Sequence, residues 1–133
     1  MSRYLGIDHG EKNVGLALSC PMKSFARAYK TISNDKNLFI NLISECQDNE
    51  IVKVVVGLPV SFRTGQDTDQ TRIVREFADK LSSFLKNIEV VFYDERLTSK
   101  IYEDMPKECK GKGLRDAISA QLILQSYLDK NTK

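Results

Sequence analysis

The stretch Val52-Lys53-Val54-Val55-Val56 is a nearly unbroken β-branched run closed by Gly57-Leu58-Pro59, and it constrains the fold most. β-Branched side chains favour extended backbone, and a run without polar alternation suits a strand buried on both faces. Ile88 to Tyr93 is a second such run, ending in Asp94-Glu95-Arg96. Between the two, Ile73, Phe77, Leu81 and Phe84 recur at helical spacing, with Asp67 or Thr68 placed to cap the helix. Before them, Leu38, Phe39, Leu42, Ile43 and Cys46 form a similar stripe behind Asn34 or Asp35. Buried strands separated by helices pair in parallel, because each helix carries the chain back across the sheet.

The N-terminal third reads differently. Tyr4 to Asp8 and Val14 to Ser19 are short apolar runs joined by a tight, glycine-containing link, as in a β-hairpin. Tyr29 to Ile32 can add a third, antiparallel strand. From Leu114 to Leu128 a last helix places Ala117, Ala120, Leu124 and Leu128 along one side. Residues 99–113 are polar and contain Pro106, Gly111 and Gly113, so they read as a mobile segment with at most a short helix. The order β-β-β-α-β-α-β-α implies an α/β mixed sheet, three antiparallel strands extended by parallel ones, with helices on both faces. At 133 residues this is one domain, 1–133, able to bury its own core.

Composition excludes some functions. No apolar run approaches the roughly 20 residues that span a bilayer, so no membrane partner is expected. The N-terminus enters a strand at once and reads as carrying no signal peptide. Cys20, Cys46 and Cys109 are far apart and odd in number, which suits a reducing cytoplasm and offers no zinc motif. A net charge of +2 announces no nucleic-acid partner by itself. Basic residues do cluster, at Lys100, Lys107, Lys110, Lys112 and Arg115, and more weakly at Arg63, Arg72 and Arg75. Such clusters are ordinarily solvated surface.

Chemistry is expected beyond the carboxyl ends of the parallel strands, where open α/β sheets bind ligands. Asp8 ends the first strand, Asp94-Glu95 ends a later one, and Asp116 opens the final helix. Each has a plain alternative: Asp8 as a turn residue, Asp94 or Glu95 as the partner of Arg96, Asp116 as a first-turn acid complementing the helix dipole. Together they repel one another unless a cation lies between them. A hard divalent ion such as magnesium, which takes oxygen ligands and keeps several waters, suits that set. Two such ions about 3.5–4 Å apart activate water and stabilise the leaving oxygen of a phosphodiester. Ala117 and Ala120 would let the last helix lie close to the sheet and bring Asp116 near Asp8. His9, the one histidine, is better read as a turn side chain than as a base or ligand.

Four blocks carry a family resemblance: Leu5-Gly6-Ile7-Asp8-His9-Gly10 with Gly15; Val55-Val56-Gly57-Leu58-Pro59 with Gly65; Asp94-Glu95-Arg96-Leu97-Thr98-Ser99; and Asp116-Ala117-Ile118-Ser119-Ala120 with Ile123-Leu124. In this order, over residues 4–128, the chain resembles the YqgF proteins, also called RuvX, relatives of the RuvC resolvase. The resemblance implies a ribonuclease-H-like fold and a Mg²⁺- or Mn²⁺-dependent nuclease. It also implies Asp8, Glu95 and Asp116 as the catalytic, metal-binding acids, with Asp94 as the alternative to Glu95, since strand alternation turns only one neighbour to the site. Family members are described as nucleases maturing the 5′ end of pre-16S ribosomal RNA and as Holliday-junction resolvases. The chain departs from the family at Asn13, usually basic, at Cys20, usually acidic, and in a shorter stretch between Ser99 and Asp116.

Arg96, Lys100, Lys110, Lys112 and Arg115 lie nearest in sequence to two of the acids and are the expected nucleic-acid contacts. The expected partner is an rRNA precursor, with branched DNA or a non-catalytic nucleic-acid or ribosome-associated role as alternatives. A junction resolvase works as a symmetric dimer, whereas here the apolar stripes are narrow enough to be consumed by the core, so a monomer or weak dimer is expected. Actin-like ATPases and sugar kinases share a glycine-rich hairpin with an acid but need two such domains around a cleft.

Overall fold

The computed structural model describes residues 2–59, 68–94 and 115–131, and the side chains of Asp94, Arg115 and Asn131 lie outside what it describes. Among the described residues, five strands and three helices follow one another in the expected order. They are β1 (Arg3–His9), β2 (Asn13–Ser19), β3 (Ala26–Ser33), α1 (Leu38–Asp48), β4 (Ile51–Leu58), α2 (Asp69–Phe84), β5 (Glu89–Asp94) and α3 (Arg115–Asn131). The sheet order is β3-β2-β1-β4-β5. β1 pairs antiparallel with β2 and parallel with β4, β2 pairs antiparallel with β3, and β5 continues in parallel beside β4. The mixed sheet expected from the sequence is therefore the observed one.

Alternation along β1 and β4 divides the core into two layers. Leu5, Ile7, Val54 and Val56 face one side, with Leu38, Leu42 and Cys46 of α1 and Val74, Phe77 and Leu81 of α2. Ala17 and Val55 face the other, with Ala120, Ile123, Leu124 and Leu128 of α3. Val54, Val55 and Val56 are all completely buried, as a strand covered on both sides requires. Val52 is not: it is 42% exposed where β4 has barely entered the sheet.

One helix start carries a correction and the other keeps an expected cap. α1 begins behind Asn37, not Asn34 or Asp35. Asp35 instead accepts the Asn37 amide at 2.9 Å, and the Asn34 side chain donates to the Gly10 carbonyl at 2.7 Å, tying the β1–β2 link to the end of β3. In α2, Thr68 is the cap: its hydroxyl accepts the Thr71 amide at 3.2 Å, while the Thr68 amide donates to the Thr71 hydroxyl at 3.0 Å. Thr71 also hydrogen-bonds the Pro59 carbonyl, which fastens the helix start to the end of β4. The buried stripe of α2 is Thr71, Val74, Phe77, Ala78 and Leu81; Ile73 and Phe84, which share the helical spacing, stand 47% and 49% exposed. They lie on the flanks of that stripe, where apolar spacing alone cannot separate edge from centre.

Two cysteines occupy opposite environments. In the β2–β3 turn, the Cys20 sulfur accepts the amides of Ser24 and Phe25, each at 3.4 Å, as a carboxylate at that position would. Those amides, Phe25 first, hold its thiol below the ordinary range. Cys46 is packed in the α1 layer, and burial pushes its thiol up to about 11. Because the thiolate is the nucleophile, iodoacetamide at pH 8 is expected to label Cys20 well before Cys46 in the folded protein. Peptide mass spectrometry over a time course checks this; faster labelling of Cys46 would show that α1 opens readily.

Candidate active site

Parallel strands β1, β4 and β5 end together. Ile7 pairs with Val56 and Val56 with Phe92, while Gly57 pairs with Tyr93 and Leu58 with Asp94. Asp8 thus sits at the carboxyl end of the central strand, and the Asp94 backbone ends β5 at the same edge of the sheet. The expectation that these elements point one way holds for the strands.

Asp8 pairs across the hairpin with Gly15, and directly opposed residues of antiparallel strands share a face. The face is identified by what a side chain at Gly15 would meet: the Asp116 carbonyl oxygen at 1.9 Å and the Ala117 nitrogen at 2.7 Å. The first turn of α3 therefore lies directly on β2, one strand away from Asp8. Two residues along β1, a side chain at Gly6 would meet Leu124 Cβ at 2.8 Å and the Ala120 carbonyl at 2.9 Å. Asp8, Gly6 and Gly15 all belong to the α3 side, and both Asp8 and Asp116 are half-buried there. The completely buried Ala117 and Ala120 give the close helix approach that was anticipated. The glycines that complete it, Gly6 and Gly15, enter the sequence reading only through the hairpin strands and the first block of the family resemblance. Their signal was present: Gly6 and Gly15 face an alanine-bearing helix stripe, and small residues on both partners are what close packing needs.

His9 leaves this site. As the last residue of β1 it falls on the opposite side, with its ring centroid 4.4 Å from that of Phe77 in α2. Its Nε2 lies 3.4 Å from Asn34 Nδ2, and its Nδ1 is buried with no hydrogen-bond partner among the described residues. Burial lowers its pKa, against a smaller opposing effect of its own backbone, so the neutral ring is favoured. It is a strand residue that extends the α2 layer, not a turn side chain.

Glu95, Arg96, Lys100, Lys110 and Lys112 lie outside the described residues, as do the side chains of Asp94 and Arg115. Segment 99–113 and Arg63 lie outside them too, and among the described residues no cluster of three His, Cys, Asp or Glu side chains forms a metal site. What the structure brings together is Asp8 and the start of the Asp116 helix. Asp8 at the end of the central strand and Asp116 in the first turn of α3 carry carboxylates of the kind that hold a hard cation or a water by hydrogen bonds.

The RuvX family model, described as Holliday junction resolvase, matches residues 2–130. The chain belongs to the RuvX family. Its relatives include proteins named "Putative pre-16S rRNA nuclease" from Sulfurihydrogenibium sp. and Fusobacterium nucleatum. The first is 37% identical over 98% of this chain and 92% of the relative, and the second 35% identical over 97% and 98%. Membership in RuvX makes the protein a nuclease, a hydrolase acting on phosphodiester bonds. Among solved structures, Thermus thermophilus RuvC in complex with a Holliday junction substrate aligns with a TM-score of 0.63 at 14% identity, covering 99% of this chain and 98% of that one. The fowlpox virus resolvase aligns at 0.59 and 12% identity, covering 98% and 99%. These likenesses show a ribonuclease-H-like fold. Among the described residues, no helix is long and apolar enough to cross a membrane.

Proposed function

We propose that this RuvX protein cleaves a phosphodiester near the 5′ end of 16S ribosomal precursor RNA, using Asp8, Glu95 and Asp116 to hold Mg²⁺ or Mn²⁺. The observation that supports the site is the contact of the α3 start with Gly15, the strand partner of Asp8, which sets the backbone of Asp116 one strand away from Asp8. The donor set fits the ion: carboxylate oxygens suit a hard divalent cation, and the sole histidine lies on the other side of the sheet. In β5 the odd-numbered Val91 and Tyr93 belong to the α3 side, and on that parity Glu95 is a better third ligand than Asp94. When bound, such ions make water a nucleophile at neutral pH and stabilise the leaving oxygen. The chain itself fixes the acids on a central strand and a close-packed helix, so little reorganisation accompanies the reaction.

Identities of 37% and 35% over nearly whole chains support the ribosomal substrate over the branched DNA that RuvC binds at 14% identity. A soluble cytoplasmic protein, acting as a monomer or weak dimer, suits that role. Depleting the protein in cells should lengthen the 5′ end of 16S precursor RNA, read by primer extension. Normal rRNA ends, with paired symmetric cuts on synthetic four-way junctions by a stable dimer, would transfer the assignment to junction resolution.

Arg96, Lys100, Lys110, Lys112 and Arg115 are proposed to grip phosphates beside the acids. Each phosphate contact removed lowers the slope of log affinity against log salt by about one unit. Lys110→Ala/Lys112→Ala should therefore reduce the slope for structured RNA by about two. An unchanged slope would put the binding surface elsewhere.

A further inference from the structure

Three tyrosines from three elements meet on the side of the sheet that carries Asp8. The Tyr127 ring of α3 lies 6.4 Å from Tyr4 of β1 and 6.5 Å from Tyr93 of β5, the latter pair edge to face. Lys53 of β4 stands among them, its Nζ 5.2 Å from the Tyr4 ring and 5.5 Å from the Tyr127 ring. Lys23 approaches the Tyr4 ring at 5.6 Å. All three rings are half-buried: each rests on the α3 layer and keeps part of its surface in solvent. The completely buried stripe of α3 runs through Ala117, Ala120, Ile123 and Leu124. That helix lies chiefly over β1, β2 and β3 and reaches β4 only at its margin, so the tyrosines stand beside the packed core.

We propose that this tyrosine–lysine patch is a stacking platform for unpaired bases of an RNA strand whose scissile phosphodiester lies at the Asp8–Asp116 end. It rests on the nuclease reading above and deepens it by naming the substrate form. Aromatic faces bind bases with little regard to sequence, but only bases that are free of a duplex. Tyr93 is the strand partner of Gly57, one step past the Ile7–Val56–Phe92 row and so level with Asp8, and Tyr4 lies four residues back along β1, about 13 Å from Asp8. A strand leaving the acids along this side passes Tyr93, Tyr127 and Tyr4 in turn. Lys53 supplies the positive charge that a phosphate backbone needs. Its Nζ donates to the Tyr127 hydroxyl at 3.0 Å and pairs with Glu89 at 3.2 Å. The Glu89 side chain is 64% exposed, so that pair is weakly held and can yield to a phosphate.

The chain has no tryptophan and five tyrosines, three of them in this patch, so its intrinsic emission reports the platform directly. Full-length protein in EDTA is titrated with a single-stranded oligouridylate and, separately, with an RNA duplex of the same length. The single strand should quench tyrosine emission and the duplex should not. Tyr93→Leu and Tyr127→Leu should each weaken single-strand binding about tenfold, whereas Tyr29→Phe, on another face, should change nothing. Because these substitutions can disturb packing, a second measurement uses the wild type alone. 4-Thiouridine RNA is photo-crosslinked and the adducts are mapped, and they should fall on the peptides carrying Tyr93 and Tyr127. Equal quenching by duplex, unchanged affinity in both leucine variants, or adducts confined to other peptides overturns the platform. Binding is read without metal, so quenching by a protein that never cleaves RNA would sink the nuclease reading alone.

Discussion

Gly15→Ala is expected to lower the urea midpoint of unfolding by about 1 M, because a methyl group there meets the backbone of another element. A methyl at Gly15 would sit 1.9 Å from the Asp116 carbonyl oxygen, 2.1 Å from its carbon and 2.7 Å from the Ala117 nitrogen. All three are backbone atoms, so no rotamer change relieves the clash and the start of α3 has to move. Overpacking typically costs about 1–3 kcal/mol and occasionally more. A rigid backbone obstacle puts this site at the upper end, about 3 kcal/mol, against a gain of at most about 1 kcal/mol from removing a flexible glycine. A urea slope of about 1–3 kcal/mol per molar converts that net cost of about 2 kcal/mol to a shift of about 0.7–2 M. Gly57→Ala is the control. There the nearest atom, at 2.3 Å, is the terminal Cδ1 of Ile123, and a flexible side chain can turn away. Gly15→Ala should therefore be clearly the worse of the two. A Gly15→Ala midpoint within about 0.3 M of the wild type would mean that α3 does not rest on β2 as described.

The same glycine shows what a sequence discloses and what it withholds. The order of elements along the chain, the parallel half of the sheet and helices on both faces were legible, because Val54 to Val56 has no polar alternation and the stripes of α1 and α3 have helical spacing. The end of α3 near Asp8 was legible through Ala117 and Ala120. Gly15 was not, because its spacing from Gly10 fits a hairpin equally well, and only the tertiary approach of a helix gives it a second role. His9 was misjudged for a related reason. β1 runs one residue farther than its apolar core suggests, and alternation then carries the imidazole to the Phe77 side. At α2, the cap at Thr68 followed from local chemistry, whereas the exposure of Ile73 and Phe84 depends on how the helix is rotated against the sheet. Local hydrogen bonding is written in neighbouring residues; rotation is set by partners far along the chain.

Asp8→Asn is expected to abolish metal-dependent RNA cleavage while leaving the fold intact. Asparagine keeps the shape and the hydrogen-bonding oxygen of aspartate but removes the charge that attracts a divalent ion. Losing one preorganised electrostatic group at a reacting centre typically costs about a hundredfold to a thousandfold in rate. A proposed ligand on the central strand belongs at the upper end, because strands on both sides fix its position. Asp116→Asn should act in the same direction, since α3 starts on Gly15, the strand partner of Asp8, and Asp116 is the second proposed ligand. The two losses should not add. If both acids hold the same ion, the double variant should be little slower than the worse single one. Initial rates on a 5′-extended 16S precursor, titrated with Mg²⁺ and with Mn²⁺, test this. Melting curves in EDTA separate chemistry from folding: each variant should melt within a few degrees of the wild type, whereas Gly15→Ala should not. Full activity of Asp8→Asn at saturating metal would remove Asp8 from the site, and with it the reason for the close approach of α3 to β2.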